Sequence, residues 1–374
     1  MTYDYATAVD SVIGGVIAPQ AAEVDRAGAF PRGNIEALAG AGLLGLVSSA
    51  DVGGRGAGLA AAAHVTERLA GACGSTAMVL LMHYAGTAVL EAHGGDRVRA
   101  AIGRDEYLST LAFSESGSRS HFWAPLGTAT SDGDGHVRLD ASKSWVTSAG
   151  EADGYVWSSL PAGGTGPMSL WLVPRDTGGL TVRGPFDGLG LRGNASSPVS
   201  ADGVRIPRQD MLGADGAGLD IALQTALPSF LVLSAAFSLG LMEALMAKVR
   251  AHLLQARLDH LGQTLAEQPV QRARFAQLRI LADQVRAFLA DTLDALGAGR
   301  EDSTLRVLEV KAVAAEAACT VADGVMRLCG GSAFRKDAGV ERLFRDSLAA
   351  RVMAPTTDAL HEFVGRVGLG MPLM

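Results

Sequence analysis

Arg327-Leu328-Cys329-Gly330-Gly331-Ser332-Ala333-Phe334, then Val340-Glu341-Arg342-Leu343-Phe344-Arg345-Asp346, then Val352-Met353-Ala354-Pro355-Thr356-Thr357-Asp358: the reading of the chain turns on this stretch. The Gly330-Gly331 pair supplies positive-φ residues that close a helix. Pro355 suits the first turn of a following helix, where the N–H it lacks would have no partner anyway. With a charged segment between them, these signals predict helices meeting at a buried corner. Immediately upstream, Leu305 to Cys329 is an Ala-rich helix, and Val270 to Leu296 carries Phe275, Leu278, Leu281 and Ala282 at helical spacing. Leu231 to His260 is long and apolar on one side. Gly297-Ala298-Gly299 reads as the turn between the last two long helices, and Thr356 to Gly365 as the final one. Residues 214–374 therefore predict an antiparallel helical bundle.

Between residues 106 and 213 the period changes from helical to two-fold. Val137-Arg138-Leu139-Asp140, Tyr155-Val156-Trp157-Ser158, Ser169-Leu170-Trp171-Leu172-Val173 and Val204-Arg205-Ile206 read as short strands bounded by Asp-Gly, Gly-Gly and Pro turns, making a compact β domain. Two places in it suit a cofactor. Ser114-Glu115-Ser116-Gly117-Ser118-Arg119-Ser120 is a strand end running into a hydroxyl-rich loop, able to hold a pyrophosphate or a flavin edge, although as an isolated segment it is an ordinary surface turn. In Ser142-Lys143-Ser144-Trp145-Val146-Thr147-Ser148, alternation along a strand puts Trp145 and Thr147 on one face. That offers a ring to stack and a hydroxyl beside it. The plainer reading is a Trp packed in the sheet with Thr147 as a common β-former.

Residues 1–105 read as helices broken by Gly-rich turns, with Val9-Val12-Ile13-Val16-Ile17 and Ile35-Leu38-Ala39-Gly42-Leu43 at helical spacing. Gly53-x-x-Gly56 has no strand before it, so it reads as a turn and not as a phosphate loop. His64 and His83 fall on the next two helices, where core or surface packing is their ordinary role. His83, set among small residues in Leu81-Met82-His83-Tyr84-Ala85-Gly86, is the better candidate for chemistry, since a neutral imidazole accepts a proton near neutral pH.

Composition narrows the function classes. The 374 residues, 48% hydrophobic and 19% charged, are enough for a large core and two or three domains. A net charge of −7 with no Lys/Arg run argues against nucleic acid or an anionic membrane as partner. The start, Met1-Thr2-Tyr3-Asp4-Tyr5, lacks a signal peptide's basic and apolar regions, and no uncharged apolar stretch of about 18 residues is expected to span a bilayer. A cytoplasmic location is the expectation. Cys73, Cys319 and Cys329 have neither metal-ligand spacing nor an even disulfide count, and read as buried thiols. No metal site is expected.

Three separated motifs, in this order, resemble the acyl-CoA dehydrogenase family. Its T-E-P-G-x-G-S loop corresponds to Ser114–Ser120, its W-x-T strand to Trp145-Val146-Thr147, and its GG...VER-x-x-RD...EGT segment to Gly330–Thr356, the last without a gap. The resemblance spans most of the chain and implies an α+β, mainly helical fold: an N-terminal helical domain (1–105), a central β-barrel-like domain (106–213) and a C-terminal four-helix bundle (214–374). It implies FAD as cofactor. Position by position, Phe113, Ser114 and Ser120 would touch the flavin or its phosphates, Trp145 would stack near the ring, and Thr147 would meet the N5 edge. Gly331 would meet the cofactor of a neighbouring subunit, making the protein a homo-oligomer, dimer or tetramer. Thr356 and Asp358 would face the adenosine and pyrophosphate side. The family's Arg-Phe-Gly interface motif is matched only by Arg257 and Leu261-Gly262 with an extra residue, and Arg327 stands where Gln is usual.

The departure with most chemical weight is at the base. The family's Glu before Gly-Thr is Ala354 here, with Pro355 for the Gly, and the stretch matching the alternative base position, Pro228-Ser229-Phe230-Leu231, has no ionisable group. Glu243 would substitute only if its helix turned it inward. General-base catalysis contributes roughly 10²- to 10⁴-fold, so its loss argues against ordinary α,β-dehydrogenation. Two kinds of flavoenzyme tolerate it: those that take hydride from a carbon bearing oxygen, and those that activate O₂ on reduced flavin. The Val-Met-Ala-Pro-Thr-Thr-Asp run and the C-terminus most resemble family members of polyketide extender-unit pathways, acting on a three-carbon unit held by an acyl carrier protein. The expectation is therefore oxidation of a glyceryl-derived semialdehyde to the hydroxymalonyl level, with His83 as a helper. CoA as the thiol, a monooxygenase of this fold, a conventional dehydrogenase with a relocated base, and a cofactor-free binding protein are the alternatives.

Overall fold

The computed structural model describes residues 3–119 and 121–373. Helices come first: α1 (Tyr5–Val12), α2 (Ala18–Ala27), α3 (Arg32–Gly40), α4 (Gly58–Ala72), α5 (Gly74–His93) and α6 (Asp96–Gly103). Strands follow: β1 (Ser109–Ala112), β2 (Thr128–Ser131), β3 (His136–Val146), β4 (Gly154–Ser159), β5 (Ser169–Pro174), β6 (Leu180–Val182) and β7 (Ser197–Pro207). Then come α7 (Gly218–Ile221), α8 (Leu227–Gln255), the hairpin β8 (Arg257–Leu258) and β9 (Gln263–Thr264), α9 (Pro269–Gly297), α10 (Ser303–Cys329), α11 (Val340–Val352) and α12 (Thr357–Gly368). The order is helices, strands, helices, as the change of period predicts. The chain packs as two compact units, one of residues up to Val65 with Ser75–Gly188 and Arg192–Phe230, the other of Thr66–Gly74, Leu189–Leu191 and everything from Leu231 on.

In the first unit the strands form two sheets. One runs β1-β4-β5, with β1 and β4 parallel and β5 antiparallel to β4; the other is antiparallel, in the order β2-β3-β7-β6. Inward residues of both sheets share one core, including Val137, Leu139, Tyr155, Trp157, Trp171, Val199 and Ile206. Trp157 and Trp171 are register partners and fully buried, and the Trp171 indole N–H donates to Ser159 Oγ at 2.8 Å. The turn at Gly53–Gly56 follows a short 3₁₀ segment, with both glycines at positive φ, so the plain turn reading of that motif holds.

In the second unit α10 is the central helix. It packs on α9, α11 and α12 and buries a stripe running from Val307 to Cys329. Small residues let its neighbours close in: a Cβ on Gly324 would lie 2.6 Å from Leu278 of α9. Cys73, Cys319 and Cys329 are buried thiols outside any disulfide, as expected.

Two expectations are corrected. Gly218–Gln255 is long and apolar enough to cross a membrane by length and composition, because its stretch from Ile221 to Met242 is broken by Gln, Thr, Pro and Ser but by no charge; 83% of its most apolar window is buried inside the protein, which makes it a core helix. Pro355 is not in the first turn of α12, which starts at Thr357, because the Thr356 side chain caps it by accepting the Ala359 N–H.

Candidate active site

In the first unit, the two sequence motifs of the β domain lie side by side. Ser116 N–H donates to Ser142 O and Ser144 N–H donates to Ser114 O, each at 3.0 Å, so the 114–116 segment pairs with β3 just before Trp145. Beneath this pairing lies a buried ion pair. Lys143 Nζ donates to Glu115 Oε1 at 2.6 Å, to Ser158 O at 2.7 Å and to Ser158 Oγ at 2.8 Å, and sits 5.0 Å from the centre of the Trp157 ring. Burial lowers the Lys143 pKa to about 8, against the opposing pull of Glu115. The other carboxylate oxygen of Glu115 accepts the backbone N–H groups of Leu126 and Gly127 at 2.6 and 2.8 Å.

The expectation that Trp145 and Thr147 share a strand face is corrected. The β3–β7 register shifts between Lys143 and Val146, and the strand ends at Val146. Trp145 is thereby 66% exposed while Val146 and Thr147 are buried. The Trp145 ring meets Phe186 edge-on, with 6.4 Å between centroids. The Thr147 and Ser196 hydroxyls are 3.1 Å apart. Ser148 follows at φ 60°, its buried hydroxyl without a partner among the described residues. Phe113 and Ser114 are half-buried, Phe113 stacks on Phe122, and Ser120 lies outside the described residues. The exposed indole offers a face to a planar ring, and the unpartnered Ser148 hydroxyl in the turn that follows offers a hydrogen-bonding group, which fits a large ring with a polar rim.

His83 belongs to the core. Its Nδ1 accepts the Ser109 N–H at 3.0 Å, and its Nε2 therefore carries the proton, donated to Leu44 O at 3.0 Å. Burial lowers its pKa to about 4. With both nitrogens committed and the ring fully buried, the structure places no free imidazole there, and the proton-accepting role expected of His83 is corrected.

In the second unit, α10 ends at Cys329 and Gly330 turns the chain at φ 54°; Gly331, expected to share that conformation, is not in the positive-φ region. Gly331 and Asp358 are exposed and Thr356 is half-buried at the start of α12. Ala354 is half-buried and precedes the buried Pro355 through a cis peptide. Lys311 of α10 reaches this segment from inside, donating to Met353 O at 2.8 Å and Pro355 O at 2.6 Å, and burial lowers its pKa to about 7. Both carbonyls flanking Ala354 are thus anchored by one amine. Glu243 does not turn inward as a free carboxylate: Arg279 grips it with two bonds of 2.7 Å, Arg286 adds one at 2.9 Å, and these partners hold its pKa below the ordinary range.

Lys143 and Lys311 escaped the sequence reading, although the signal was present. Lys143 has the inward parity of Val137 and Leu139 on β3, and Lys311 sits one turn after Val307 on an apolar helix stripe. A lysine at an inward position demands a buried acceptor.

Comparison with known proteins bears on all parts of the chain. Residues 4–106, 110–204 and 216–369 match the family descriptions "Acyl-CoA dehydrogenase, N-terminal domain", "middle domain" and "C-terminal domain". Cyclohex-1-ene-1-carbonyl-CoA dehydrogenase of Geobacter metallireducens is 26% identical over 358 residues, covering 94% of this chain and 93% of that protein. The solved structure of butyryl-CoA dehydrogenase from Megasphaera elsdenii superposes with a TM-score of 0.92 at 20% identity, covering 98% and 97% of the two chains. FkbI, described as serving biosynthesis of the methoxymalonyl extender unit of the polyketide Fk520, superposes with a TM-score of 0.87 at 23% identity, covering 97% and 99%.

Proposed function

This chain belongs to the acyl-CoA dehydrogenase family, whose members are FAD-dependent oxidoreductases, and from that premise we propose that it oxidises a short oxygenated acyl thioester on an acyl carrier protein. The substrate is a glyceryl-derived semialdehyde and the product is at the hydroxymalonyl level. The observation that carries this reading is the methyl group at position 354, where family dehydrogenation needs a carboxylate. The carboxylate on α8 that could have replaced it, Glu243, is held by two arginines. Removing a C2 proton from a thioester requires a base, and no side chain at these positions supplies one. Oxidising a hydrated aldehyde at C3 requires none on carbon: a hydride equivalent leaves C3, a proton leaves oxygen, and the C2–H bond stays intact.

FAD, when bound, supplies the two-electron acceptor. Phe113, Ser114, Ser120, Trp145 and Thr147 would hold it, with Gly331, Thr356 and Asp358 contacting the cofactor in a homo-oligomer. Trp145 would give the platform and Thr147, tied to Ser196, a fixed hydroxyl. The likeness to FkbI is one of fold, and its described role in biosynthesis of a methoxymalonyl extender unit supports a substrate of that kind here.

The test is anaerobic mixing of the yellow protein with the carrier-bound semialdehyde. Bleaching by substrate alone is expected, with the electrons passed on to an acceptor afterwards. A flavin that stays oxidised until a reductase or NADH is added, followed by one atom of labelled O₂ in the product, would make the protein a monooxygenase instead.

A further inference from the structure

We propose that Glu115 and Lys143 form the positioning device of the cofactor loop, holding its two ends (113–116 and 126–127) and the Trp145 strand end as one piece; the proposal rests on the flavin reading of Trp145 and Thr147. Lys143 is fully buried and Glu115 nearly so, and their described hydrogen-bond partners lie in the loop and strand that carry expected cofactor residues and on the neighbouring strand β4. Glu115 follows Ser114 directly, while its Oε2 holds the amides of Leu126 and Gly127 at the far end of the same loop. Lys143 precedes Trp145 by two residues and anchors to Ser158 on β4. One carboxylate therefore closes the loop, and one ammonium fixes the closed loop to two strands of different sheets.

The space around this link has no slack. A Cβ on Gly127 would lie 2.9 Å from Glu115 Oε1 and 2.5 Å from the Ala141 Cβ, so glycine at 127 is what lets the carboxylate lie against the chain. Leu160 N–H donates to Gly127 O at 2.7 Å, completing the closure from β4's end. An apolar contact of similar volume could fill the space, but it could not receive two amides. That distinguishes a positioning role from mere core filling, because replacing a buried ion pair by well-packed apolar groups is often neutral for stability.

The test compares the full-length wild type, Glu115→Gln and the double variant Glu115→Leu with Lys143→Met, reading urea stability, the FAD dissociation constant of flavin-free protein, and amide exchange at Leu126 and Gly127. In the wild type these two amides should be protected without flavin. The double variant should keep most of the wild-type stability yet expose both amides and bind FAD about tenfold or more weakly, the equivalent of one charged hydrogen bond. Glu115→Gln keeps the shape with a single acceptor oxygen and should lie between them. Unprotected wild-type amides, or a double variant with wild-type FAD affinity, would overturn the proposal, and the first of these needs no variant to fold. Trp145→Ala separates the two ideas: if it leaves FAD affinity unchanged, the placement of the flavin is wrong, whatever the pair does.

Discussion

At the scale of single residues, the chain replaces free acids and bases by committed ones. His83 makes the case in measurable form. Its pKa is about 4 in the folded protein against an ordinary value of 6.5, so between those values the unfolded chain binds a proton that the native one does not. The stabilisation from keeping it neutral is complete above pH 6.5 and lost as pH falls towards 4, amounting to about 3 kcal/mol. Urea midpoints measured from pH 8 to pH 4 should show this loss, and a His83→Gln variant should lack that part of the slope. Ala354→Glu is expected not to create a conventional acyl-CoA dehydrogenase. Pro355 follows it, and Lys311 ties both neighbouring carbonyls, so the backbone there is set for the residue it has. Butyryl-CoA should fail to bleach this variant's flavin anaerobically. The missing carboxylate at 354 was legible from sequence because the motif around it aligns residue by residue. The occupation of His83 was not, since its partners Leu44 and Ser109 lie 39 and 26 residues away and no local pattern announces them.

At the scale of elements, helix lengths were read well and helix starts less so. The long helices follow from apolar spacing, and α9 and α10 fall within two residues of the stretches read from sequence, whereas α8 ends at Gln255 and the expected continuation to His260 enters the β8–β9 hairpin instead. The start of α12 did not follow from Pro355, because the capping hydroxyl belongs to Thr356 and the proline stays outside the helix. Thr356→Ala should therefore cost about 1 kcal/mol in chemical unfolding, whereas Thr356→Ser should cost little. The end of β3 was misjudged for a related reason. Strict alternation assumes an unbroken ladder, and the register shift before Val146 turns Trp145 outward and Thr147 inward. A bulge is set by the pairing partner β7, whose sequence lies about fifty residues on, so the strand by itself cannot reveal it.

At the scale of the whole molecule, the order of helices, strands and helices together with three spaced motifs was enough to reach the family, which the three matching domain descriptions establish. The cofactor follows from the family, and it should be part of the protein's stability. A ligand that binds only the native state stabilises it in proportion to the logarithm of its concentration over Kd, about 3 kcal/mol at a hundredfold excess over the dissociation constant, so added FAD should raise the melting temperature of flavin-free protein by several degrees. A colourless protein indifferent to FAD would remove the basis for any redox role. The proposed chemistry is narrower: hydride transfer would be kept while carbon-acid chemistry would not. Its most direct test is the deuterium isotope effect on anaerobic flavin reduction, with carrier-bound semialdehyde labelled at C3 or at C2. Slowing by the C3 label alone is the predicted result; slowing by the C2 label would show that a C2 proton is removed during oxidation and contradict the account.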